Sequence, residues 1–82
     1  MAEGYSRPIR VDNLTLEKIE QYLGDITDEI SSLGLGVYYH LGKNPFKRIR
    51  VEGRSNIVQV GNGVSQEVIA GIERMTKQRV VF

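Results

Sequence analysis

The chain has no cysteine and no tryptophan, a single histidine (His40) and only two prolines, Pro8 and Pro45. Without thiols, neither a disulfide nor a thiolate metal site can hold the fold together. A lone histidine has no second histidine to join it as a metal ligand. No base stands beside an evident nucleophile either. No catalytic residue, metal ligand or cofactor is therefore assigned, and the expectation is a protein that is not an enzyme. No run approaches the roughly 18 apolar residues of a membrane span. The opening residues MAEGYSRP hold no apolar stretch of the kind a secretion signal needs. A cytoplasmic protein with no membrane role is expected.

An excess of one charge is missing too. Eleven Lys and Arg stand against ten Asp and Glu, for a net charge of +1. The distribution is less even than the total. Residues 12–29 carry six acids against Lys18, a local charge of −5, and residues 43–54 carry five bases against Glu52, a local charge of +4. With 82 residues, 40% of them hydrophobic, the chain has room for one domain, 1–82, with residues 1–7 expected as a loose leading segment.

Periodicity sets the expected elements. Leu16, Ile19, Tyr22, Leu23, Ile26, Ile30 and Leu33 recur at three and four, which predicts a helix over 14–33. Thr15 is its expected cap, Leu14 a hydrophobic staple and Gly34 its stop. Three runs of period two follow, separated by Gly42-Lys43-Asn44-Pro45 and Gly53-Arg54-Ser55-Asn56. Val37, Tyr39 and Leu41 alternate in the first run, Ile49 and Val51 in the second, and Val58 and Val60 in the third. Ser65 is expected to cap a second helix with Val68, Ile69, Ile72 and Met75 on its apolar stripe. Pro8–Val11 and Arg79–Phe82 are short and β-prone. The expected fold is α+β, in the order (β)αβββα(β), an antiparallel meander with both helices packed on one face.

The opposite face is then expected to carry Tyr38, His40, Arg48, Arg50, Ile57 and Gln59. Aromatic rings to stack on and guanidinium groups to neutralise phosphates are the mixture with which sheets bind single-stranded nucleic acid. The same mixture also clothes any half-exposed antiparallel sheet. Lys43, Lys47 and Arg54 extend the basic character along the hairpin of residues 43–54. Gly61, Asn62, Gly63 and Ser65 form a glycine-bearing turn into a helix, where free backbone N–H groups can hold an anion, though ordinary strand-to-helix turns look the same.

The αβββα order over residues 14–78 is similar to that of the double-stranded-RNA-binding domain. That family places lysines at the start of its second helix to bridge phosphates, and the corresponding positions here read Ser65-Gln66-Glu67. Two functions remain: a module that binds a protein partner or a second copy of itself through the open face or the edge strands, and a nucleic-acid-binding protein. A net charge of +1 favours the first, since dedicated nucleic-acid domains run to a pI above about 9. A homodimer is among the partners expected.

Overall fold

A computed structural model describes residues 4–82. Among the described residues there are five antiparallel strands and two helices: β1 (Ile9–Arg10), α1 (Asn13–Ile26), β2 (Glu29–Leu33), β3 (Gly36–His40), β4 (Arg48–Glu52), β5 (Ile57–Val60) and α2 (Gln66–Thr76). The strands form one sheet in the order β1-β5-β4-β3-β2. The fold is α+β, and β2 to β5 run as a meander. β1 closes the far side by pairing Ile9 with Val58.

α1 begins where Asp12, in extended backbone, accepts a 2.7 Å hydrogen bond from the Thr15 N–H. The cap is therefore Asp12 and not Thr15, and Leu14, expected as a staple, is exposed. The bond from Thr15 also holds the Asp12 carboxyl below its usual range. Leu16, Ile19 and Leu23 form the buried stripe. At Thr27 the backbone turns extended, while its N–H and its hydroxyl both bond the Leu23 carbonyl, at 3.0 and 2.7 Å.

Here the expected helix stops short, because residues 29–33 are a strand. Ile26, Ile30 and Leu33 are spaced as a helical stripe would be, but Ser31 and Ser32 between them favour helices weakly. What decides the structure is the turn. Gly34, with φ 63°, sits at the first of two central positions between the paired residues Leu33 and Gly36. That is glycine's place in a type II′ hairpin turn, whose twist matches the flanking strands. Gly34 thus makes a hairpin rather than ending a helix. Four strands separate the helices, so the order departs from the αβββα of the RNA-binding family.

β1 and β2 lie at opposite edges of the sheet, so α1 must carry the chain across it. Its 14 residues span about 21 Å, close to the roughly 19 Å between the edges of a five-stranded sheet. α2 lies on the same face. Tyr39, Ile49, Val51, Val58 and Val60 meet Leu16, Ile19, Leu23, Val64, Ile69 and Ile72 in one core, with Val37, Leu41, Val68 and Met75 packed at its margin. The alternation of β3, β4 and β5 is as the sequence predicts. Ser65 occupies the cap position of α2, yet its side chain makes no capping bond. The helices touch at Gly71, where a Cβ would stand 3.1 Å from the Tyr22 hydroxyl.

Residues 1–3 lie outside the described residues, but Gly4–Arg7, expected to be loose, is bound along β5. Ser6 is buried, its N–H donates to the Val60 carbonyl at 2.8 Å, and its Oγ accepts from the Val60 N–H at 3.0 Å. Arg79–Phe82 forms no strand, although the Val81 carbonyl accepts from the Arg7 N–H at 2.7 Å.

Ile49 is fully buried and Ile26, at the end of α1, is 39% exposed. Ile49→Ala should lower unfolding free energy by about 2–5 kcal/mol in a denaturant titration, and Ile26→Ala by well under half as much. Burial, aided by the charge of Glu20, pushes the Tyr39 phenol above its ordinary value. The fold favours the neutral phenol, so the stabilisation is full below the unfolded tyrosine pKa of about 10 and fades as pH rises through the higher folded value. Thermal melts of Tyr39→Phe should therefore show a shallower alkaline loss of stability than the wild type.

Candidate functional site

Strand register composes the uncovered face. Ser31, Tyr38, Arg50 and Gln59 form one cross-strand row, and Glu29, His40 and Arg48 a second. All of the expected outer residues of β3, β4 and β5 are there. Their side chains mostly satisfy one another. Arg50 Nη1 donates weakly to Glu52 Oε1 and Gln59 Oε1, each at 3.4 Å. Its guanidinium lies over Gly36, where a Cβ would come within 2.8 Å of Nε. Ser31 Oγ and His40 Nε2 share a hydrogen bond of 2.8 Å.

A residue the sequence did not single out completes the face. Tyr5 bridges to Gly61, and its hydroxyl donates to the Pro45 carbonyl at 3.3 Å. Burial raises the Tyr5 phenol above its ordinary value and Tyr38 adds to the rise, while the Arg48 guanidinium beside it pulls the other way. Arg48 Nε is buried with no acceptor. An unmet donor of this kind is a liability of about 1–3 kcal/mol. Only pairing across the whole chain brings Tyr5 here, and no local motif marks it.

The remaining basic residues do not converge. Lys43 and Lys47 lie on the β3–β4 connection and Arg54 on the β4–β5 turn, at opposite ends of β4. Lys43 borders a cleft of about 460 Å³ with Ile26, His40 and Arg48, but Asp28 and Glu29 share its wall. Lys47 borders a different groove, with Leu41 and the start of α2. The glycine turn is committed internally. The N–H groups of Gly61, Asn62, Gly63 and Val64 donate to the carbonyls of Arg48, Gly4, Phe46 and Gly61. None of these four is left for an anion, and Ser65 adds only its place at the head of α2. Gly61 is required there because a Cβ would run into the Phe46 and Arg48 carbonyls. Among the described residues, no three His, Asp or Glu side chains gather as metal ligands, and no helix is long and apolar enough to cross a membrane.

The least satisfied part of the surface is β2. Every one of its residues is exposed, and Ile30 (52%), Leu33 (71%) and the turn residue Leu35 (59%) put apolar side chains in water. Leu33 and Gly36 close a two-residue turn, so they exchange backbone bonds. By alternation, Ser31 and Glu29 also bond inward to β3, which turns the N–H and C=O groups of Ile30 and Ser32 outward. Among the described residues nothing hydrogen-bonds to that outer edge. The other edge is treated differently. Beside β1, the Arg10 carbonyl accepts from Gln78 Nε2 at 2.8 Å, and the preceding Arg7 N–H is held by Val81. Of the usual guards of an edge, β2 carries neither Pro nor Lys, and Glu29 at its start is its one charge.

No protein-family model, curated protein or solved structure matches this chain.

With Arg50 tied to its neighbours and the lysines scattered, single-stranded oligonucleotides should bind feebly at physiological salt, alike in wild type and Arg48→Ala/Arg50→Ala. Fluorescence anisotropy over a salt series checks this. Submicromolar binding with a log–log slope of about −0.7 per neutralised phosphate, flattened in the double variant, would identify a nucleic-acid face instead.

Proposed function

We propose that the protein is a non-catalytic, cytoplasmic binding module that joins protein to protein by accepting an added strand at β2. The observation that carries this is the bare β2 edge, with its outward Ile30 and Ser32 backbone groups and its exposed Ile30, Leu33 and Leu35. Strand addition supplies main-chain hydrogen bonds for affinity, and alternate side chains for selectivity. An unprotected, partly apolar edge invites such pairing. The Tyr38, His40, Arg48 and Arg50 face flanks this edge and extends the contact surface beyond the backbone. Nucleic acid is the competing ligand, and the mixed charge of the cleft between Asp28, Glu29 and Lys43 counts against it.

Fractionating a native extract tests the proposal. The protein should elute in a complex above monomer mass that survives nuclease. Ile30→Lys should return it to monomer mass while leaving the circular dichroism spectrum and melting temperature close to wild type. A complex that nuclease dissolves, or one indifferent to Ile30→Lys, would exclude the β2 edge as the working surface.

A further inference from the structure

We infer that the strand added at β2 is the β2 of a second copy, running antiparallel about a two-fold axis through Ser31; this rests on the strand-addition reading above. A ladder forms only if the outward residues of one strand face outward residues of the other. Ile30 and Ser32 are those residues, and setting Ile30 opposite Ser32 of the second copy satisfies both at once, with four backbone bonds. That register pairs all five residues, Glu29–Leu33 against Leu33–Glu29. Centring the axis on Ile30 or Ser32 would leave three residues in register and half the bonds within the strands.

Charge supports the antiparallel, self-paired arrangement. Parallel pairing would set the two Glu29 carboxylates side by side. In the antiparallel register they are four residues apart, about 13 Å along the strand, beyond the physiological screening length of about 8 Å. Each Glu29 instead faces Leu33 of the other copy. One strand further in lies Gly36, with the Arg50 guanidinium spread above it. The acid at one end of the strand thus points toward a cation across the axis. The axis stands perpendicular to the sheet, so both helical layers fall on one side. Ile30 gains apolar cover there, and two five-stranded sheets become one.

The absence of cysteine makes the test direct. In this register Ser31 faces Ser31 of the second copy as a non-hydrogen-bonded pair, with Cα atoms about 4.5 Å apart, inside the disulfide range of about 4.4–6.8 Å. Purified Ser31→Cys should form a covalent dimer on mild oxidation, and adding Ile30→Lys to it should suppress that dimer. Glu29→Cys alone should not cross-link, whereas a mixture of Glu29→Cys with Leu33→Cys should give the mixed dimer. Sedimentation of the wild type should shift from 9.3 kDa toward twice that mass with rising concentration. A wild type that stays monomeric at every concentration would overturn the inference, as would Glu29→Cys cross-linking as readily as Ser31→Cys. If the purified chain is monomeric but the extract complex is still lost on Ile30→Lys, self-pairing fails and the β2 edge stands. If neither is seen, both fail.

Discussion

Everything in this structure depends on burying one face of a five-stranded sheet with only two helices. Ile49, Val51, Val58 and Val60 are completely removed from water. They set the side on which α1 and α2 must lie. α1 crosses the roughly 19 Å width of the sheet along its own length, and α2 packs beside it on the same face. Among the described residues, one face of the sheet and its β2 edge are left uncovered.

The two uncovered regions are built differently. On the open face, long side chains lie down on the sheet, with Arg50 against Glu52 and Gln59, and Ser31 against His40. Such groups meet much of their own need for partners and cover apolar stem with charged tip. The β2 edge has no comparable device. Its outward amides and carbonyls are oriented by the ladder to β3 and cannot turn to satisfy themselves. The exposed backbone of β2 is therefore a stronger demand on the surroundings than the arginines are.

Most of the sheet was legible because period two is unambiguous where one face is dry. Val37, Tyr39, Ile49, Val51, Val58 and Val60 announce β3, β4 and β5, and the register follows. β2 was not legible, for a physical reason. Ile26, Ile30 and Leu33 lie at spacings that fit a helix, and a strand exposed on both faces has no dry side to impress alternation on its sequence. The signal that could have found it is Leu33-Gly34-Leu35-Gly36, a two-residue turn between residues able to pair. Of the candidate site, the Tyr38, His40, Arg48, Arg50 and Gln59 face was readable from alternation alone. The dispersal of Lys43, Lys47 and Arg54 was not, because a basic run in sequence was divided by β4 between two ends of the sheet. Tyr5 was missed since its placement comes from pairing with Gly61, remote in sequence.

That remote pairing has a kinetic side. β2 to β5 are joined by short connections and can zip together one hairpin after another, closing only small loops. β1 and the Gly4–Arg7 segment reach β5 only after α1, β2, β3 and β4 have been laid down between them. This contact spans the longest stretch of chain of any pairing in the sheet and so carries the largest loop-closure entropy. Until it forms, β5 is itself an open edge, and Val60 and Val58 lack the cover of Ser6 and Ile9. A sheet assembled in that order would have two bare margins until the leading segment docked, after which the margin at β5 would be closed and that at β2 would not.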